Sequence, residues 1–193
     1  MIRFLPAIAG PLVVGLVFAA AVSGGPFSQA ATPRIVGDIE TAYDPQDFDL
    51  YLRDRDARVV IKGDPFGMGA EAFAQAVTQL IPNKRRGAVT NFTTTPGPSA
   101  DKTARLVLLF NVRASSDICR MQTFEPAAPR GGAIRLDAAW CPGPSTHSFA
   151  TGYLSSASGI ADEGFRSLVT ETATELFPTE NHHLPSEPDN NDD

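Results

Sequence analysis

AIRLDAAW, residues 133–140, sets Ile134, Leu136, Ala138 and Trp140 in alternation with Arg135, Asp137 and Ala139. A period of two is the pattern of a strand with one buried and one wet face. Upstream, residues 105–112 read RLVLLFNV, apolar without alternation from Leu106 to Phe110, which predicts a strand covered on both faces. Downstream, Cys-Pro-Gly-Pro-Ser at 141–145 is a turn sequence, so residues 146–155 return as the second arm of a hairpin.

Moving outward, Val59, Val60 and Ile61 form a β-branched run stopped by Lys-Gly-Asp-Pro at 62–65, and residues 88–94 supply another extended segment. Two helices complete the pattern. Phe73, Val77, Leu80 and Ile81 share one helical face until Pro82, and Phe165, Leu168, Val169, Thr172, Leu176 and Phe177 share another, behind a capping Asp162 and before Pro178. This order predicts an α+β fold: an antiparallel or mixed sheet of four to five strands with two helices packed on one face. The opposite face, carrying Arg135 and Asp137, is left for water or a partner.

Around this domain, residues 58–178, lie three segments of different character. Residues 1–30 hold an uncharged apolar run at 4–22 behind Met1-Ile2-Arg3, the anatomy of a signal peptide or of an N-terminal membrane anchor. Ser28 and Ala30 place small residues where a signal peptidase reads, giving cleavage before Ala31, with a second option after Ser23. Arg3 is the only cation before Arg34, so either reading sends the rest of the chain across the membrane, to a periplasmic or other extracytoplasmic site. No cysteine follows the apolar run, which argues against lipidation. Residues 31–57 read as an acidic linker leading into the fold, with Tyr43, Phe48, Leu50 and Tyr51 available to dock on the core. Residues 179–193 carry five acidic groups and no Lys or Arg, the composition of a disordered tail.

The formal net charge is −6, much of it in that tail, and no basic run is present. The domain therefore lacks the electrostatic footprint of a nucleic-acid binder.

The segments LVLLFN, GAIRLDAAW and the closing ELFP resemble small exported or lipoprotein-like proteobacterial envelope proteins of unknown function, over about residues 58–178. The resemblance implies an envelope location and a sheet backed by helices, and no reaction. The missing acylation cysteine departs from the lipoprotein members.

Cys119 and Cys141 are the chain's two cysteines. Their spacing excludes a CxxC redox motif, and scattered histidines leave a zinc site short of ligands. A catalytic thiol lacks a placed base. In an oxidising compartment the even count predicts a disulfide, and no cofactor or metal is expected.

Among other candidates, Gly63, Gly67 and Gly69 in KGDPFGMG, residues 62–69, form a weak anion-binding candidate at a strand-to-helix turn. It matches neither phosphate-loop pattern, and Asp64 would repel an anion, so glycine serving a tight connection is the favoured reading. Asp47 with Asp49 and Asp54 with Asp56 lie among arginines and read as a solvated surface, while Asp162 with Glu163 suits a helix start. His147, beside the hairpin turn, is the one histidine inside the domain, but no serine can be assigned to it from sequence. No catalytic residue is assigned. The leading expectation is a non-enzymatic envelope protein acting through a protein partner. Alternatives are a small-ligand or lipid-binding module and, below that, a hydrolase using His147.

Overall fold

A computed structural model describes residues 31–178, other than 41, 86, 116 and 128–130. The expected segments 1–30 and 179–193 lie outside the described residues. The fold is α+β. Its elements run β1 (Arg34–Ile39), α1 (Asp47–Tyr51), β2 (Asp56–Lys62), α2 (Ala70–Thr78), β3 (Lys84–Arg85), β4 (Ala88–Val89), β5 (Asn91–Thr93), β6 (Arg105–Phe110), β7 (Ile134–Cys141), β8 (Ser148–Leu154) and α3 (Glu163–Glu175). One 3-10 turn, Ile118–Arg120, lies between β6 and β7.

Six strands form a mixed sheet in the order β1-β8-β7-β6-β2-β5, while β3 and β4 pair separately. β5, β2 and β6 are mutually parallel, and β6, β7, β8 and β1 then alternate antiparallel. The expectation of four to five strands and two helices is short by one strand and one helix, and both come from residues 31–57. β1 escapes notice because RIVGDI is an edge strand, where Gly37 and mixed charge break the alternation. α1 is a five-residue helix, too short to show a periodic stripe. Of the aromatic and aliphatic side chains expected to dock from this segment, Tyr43 and Phe48 are buried, whereas Leu50 is 62% exposed.

All three helices contribute to one buried cluster on one face of the sheet. Leu106, Leu108, Phe110, Leu136, Ala138 and Trp140 supply its sheet side. Phe66, Phe73, Phe110 and Phe165 meet edge-on or tilted, with ring centroids 4.9–6.2 Å apart, where α2 and α3 approach the sheet. Each buried large side chain contributes roughly 1.5–3 kcal/mol through burial, and such ring pairs about 0.5–1.5 kcal/mol more. Asp162 caps α3 through a 3.0 Å hydrogen bond from the Gly164 amide. Gly152 lets α3 lie close on β8: a Cβ there would stand 2.5 Å from Leu168 Cδ1 and 2.6 Å from Thr172 Oγ1.

The second face is covered over part of its width. The run from Val112 to Pro126 crosses it, closing with a bridge between those two residues, and brings Ile118, Cys119, Met121 and Phe124 onto Val107, Leu109 and Ala139. A disulfide joins Cys119 to Cys141, with the Cα atoms 5.7 Å apart. Arg105 donates a hydrogen bond to the Cys119 carbonyl, and Thr146 Oγ1 lies 3.2 Å from Cys119 Sγ. The bond therefore pins the crossing segment to the end of β7. β6 is buried on both sides because it lies under both layers.

Candidate functional site

The crossing segment stops short of β8 and β1. There the second face is bare, and Arg34, Val36, Asp38, Phe149, Thr151 and Tyr153 line a shallow depression of about 520 Å³. Val36 is 50% exposed and Tyr153 44%. Two apolar groups stand in the open here because nothing in the described fold reaches them.

β7 borders this region, and the expectation that Arg135 and Asp137 both lie open to water or a partner fails for Asp137, while Arg135 is half exposed. Asp137 is fully buried although it points to the second face. Its Oδ1 accepts from Arg135 Nε at 3.0 Å, Arg135 Nη2 at 2.8 Å and Thr151 Oγ1 at 2.7 Å. Oδ2 lies 2.8 Å from Arg135 Nε in ion-pair contact but off the N–H direction, so it accepts no hydrogen bond. Arg135 folds back over the carboxylate, its half-exposed guanidinium 5.6 Å from the Tyr153 ring centre. Hydrogen bonding to Asp137 pushes the guanidinium pKa above its already high ordinary value. A charged lid thus seals a buried carboxylate at the margin of the bare half-face.

On the helical side, Asp47, Trp140 and His147 meet. Asp47 Oδ2 lies 2.7 Å from His147 Nδ1 and accepts from Trp140 Nε1 at 3.1 Å. The His147 amide bonds the Trp140 carbonyl while Ser148 is the register partner of Trp140, so two residues oppose one. Such a bulge re-aims a side chain. Asp47 therefore corrects the solvated-surface reading: it is buried at the start of α1, whereas Asp49 does pair on the surface with Arg53 at 2.6 Å. Of the other carboxylates, Asp54 accepts from the Val89 amide, and Asp56 accepts from Asn91 Nδ2 and the Gly97 amide. Those two bonds, Asn91 first, hold the Asp56 pKa below its usual value. Among the described residues no serine hydroxyl hydrogen-bonds His147, and the arrangement is an Asp-His pair without a nucleophile.

A smaller apolar pocket of about 210 Å³ opens between α3 and the β3–β5 region, lined by Phe48, Ile81, Phe92, Ala173 and Phe177 with Lys84 and Arg85. The Arg85 guanidinium lies 5.3 Å from the Phe48 ring centre and 5.9 Å from that of Phe177, and donates to the Pro178 carbonyl at 3.2 Å.

Gly63, Gly67 and Gly69 all have positive φ, as the strand-to-helix connection requires. The Phe66 and Gly69 amides donate to the Asp64 carboxylate at 3.0 and 2.8 Å, so the loop holds its own anion. A Cβ at Gly63 would stand 1.9 Å from the Phe110 carbonyl oxygen, which accounts for glycine there by close approach. Among the described residues, no three His, Cys, Asp or Glu side chains gather as metal ligands, and no helix is long and apolar enough to cross a membrane.

No protein-family model matches the chain, and no curated protein or solved structure is found to be similar to it.

Proposed function

We propose that the chain is an exported, non-enzymatic protein of the cell envelope that acts by binding another envelope protein through the bare half of its sheet. The observation that carries this reading is the partial cover of the second face. A disulfide-pinned segment packs over β6 and β7, while Val36 and Tyr153 remain open on β1 and β8 beside half-buried Phe149. Apolar groups rimmed by Arg34 and Asp38 form the mixture of an interaction patch. The disulfide is compatible with an oxidising compartment, and the apolar run at 4–22 supplies a route there, as a cleaved signal or a retained anchor.

The test is capture from native envelopes with wild-type protein and with Val36→Asp/Tyr153→Asp, both shown to be folded by circular dichroism. A partner retained by wild type and lost by the variant supports the reading. Identical captured sets would remove it.

A second reading rests on the pocket bounded by Phe48, Phe92 and Phe177. An apolar cavity with cations at its rim suits a small amphipathic carboxylate, making the chain a ligand-binding module. Trp140 lies 5.4 Å from Phe177, so its emission reports occupancy. Titration with decanoate that leaves this emission unchanged up to the solubility limit would dismiss the reading.

A further inference from the structure

β1 is an edge strand, hydrogen-bonded on one side to β8. Glu40 continues its register, donating its amide to the His147 carbonyl at 3.0 Å. In an antiparallel ladder the backbone groups of alternate residues point to the same side. Arg34, Val36 and Asp38 therefore turn their amides and carbonyls toward β8, and Ile35 and Gly37 turn theirs outward. The Ile39 amide agrees with this phase, donating to Asp38 Oδ1 at 2.9 Å. Asp38 thus ends the run of outward donors, leaving a short edge centred on Val36.

The side chains of that edge are self-complementary. Arg34, Val36 and Asp38 project on the bare face, as the lining of the depression shows. Placing a two-fold axis at Val36 sets Val36 against its own copy, Arg34 against Asp38 of a second copy, and Asp38 against the second Arg34. The same axis pairs Ile35 with Gly37 of the second copy, which are the two residues whose backbone groups point outward. Shifting the pairing by two residues would put Val36 opposite Asp38 and lose the apolar match. Arg34 has no ion-pair partner among the described residues, and Asp38 uses one carboxylate oxygen within the strand.

We infer that β1 is a homodimerisation edge, joining two copies antiparallel about Val36 into one continuous sheet. The inference deepens the interaction reading above by naming a second copy of this chain as a partner at that half-sheet. Its chemistry is four backbone hydrogen bonds, from Ile35 and Gly37 of each copy, a central valine contact and two Arg34–Asp38 pairs. Dimerisation also brings the two patches around Phe149 and Tyr153 onto one surface. Six strand residues give a small contact beside the roughly 1,600 Å² of an ordinary stable interface, so association is reversible and concentration-dependent.

A site-specific cross-link tests the geometry on the full chain in mild detergent. Residues opposed across a non-hydrogen-bonded antiparallel pair lie about 4.5 Å apart at Cα, within disulfide range. Val36→Cys should give a covalent dimer under mild oxidation, and Leu50→Cys, at least as exposed on α1, should not. In sedimentation equilibrium, Arg34→Asp or Asp38→Arg alone should raise the dimer dissociation constant at least about tenfold, since each makes two like-charge contacts. Arg34→Asp/Asp38→Arg should restore it. Equal cross-linking at positions 36 and 50, as association through residues 4–22 would give, overturns the proposal. So does failure of the double swap to recover what the single swaps lose. Capture of a heterologous partner is scored separately, so loss of the dimer and loss of the interaction reading are distinguishable.

Discussion

Asp47 and His147, 100 residues apart in the chain, meet at 2.7 Å, and Trp140 shares the same carboxylate oxygen. The contact ties the first short helix to the β7–β8 hairpin. Because Asp47 is buried, loss of a donor leaves a carboxylate that water does not replace. His147→Ala should therefore lower stability by about 1–3 kcal/mol. His147→Gln, which still offers an N–H, should recover part of the loss. Urea unfolding followed by Trp140 emission reads both effects, and unchanged midpoints would show that the pair holds nothing.

The Cys119–Cys141 bond closes a loop that includes β7 and the later part of the segment over the second face, with Met121 and Phe124. For a loop of this length the chain-entropy model gives about 3 kcal/mol. Cys119→Ala/Cys141→Ala should lose roughly that amount, with amide exchange rising first at Ile118 and Met121. A variant as stable as wild type would mean that Arg105 and the apolar contacts hold the segment unaided.

Asp137 invites a comparison of two substitutions. Arg135→Ala removes the lid and its donors and leaves the carboxylate with Thr151 alone at a newly opened surface, a change expected to cost about 1–3 kcal/mol. Asp137→Asn keeps the shape and removes the charge, so it should cost less. Thermal unfolding of the two variants in one buffer decides the order, and the reverse order would place the stabilisation in Arg135 packing on Tyr153.

How far the sequence foretells this molecule depends on where each residue's partner lies. β7 and β6 are legible because their burial is set by two layers and shows as alternation or as a solid apolar run. Asp162 is legible because its partner is two residues away. The edge strand β1 is not, since one unpaired side relaxes the need for apolar residues and lets Gly37 and Asp38 stand. Asp47 reads as solvent-facing from its charged neighbours, and only the fold brings it to Trp140 and His147. Asp137 carries a strand period that predicts exposure, overridden by an arginine two residues away on its own strand. The bare half-face is likewise invisible in sequence, because it depends on how far the crossing segment extends.

Asp162 supplies a pH-dependent term with a definite sign. Its Oδ2 accepts from the Ser158 amide and hydroxyl, each at 3.0 Å, and its Oδ1 from the Gly164 amide. These bonds, the Ser158 amide foremost, hold its pKa below the ordinary 3.8. A carboxyl depressed in the folded state favours folding when ionised. Its contribution is therefore complete above the unfolded value and fades as pH falls through the folded one. Asp162→Ala should cost about 1 kcal/mol near neutrality, the usual worth of such a cap, and progressively less below pH 3.8. Asp162→Asn keeps an acceptor without the charge, so its deficit at neutral pH should be smaller and should also shrink in acid. Unfolding free energies at pH 7, 4 and 3 measure this convergence, and a gap between wild type and Asp162→Ala that widens in acid would assign the cap's worth to something other than its charge.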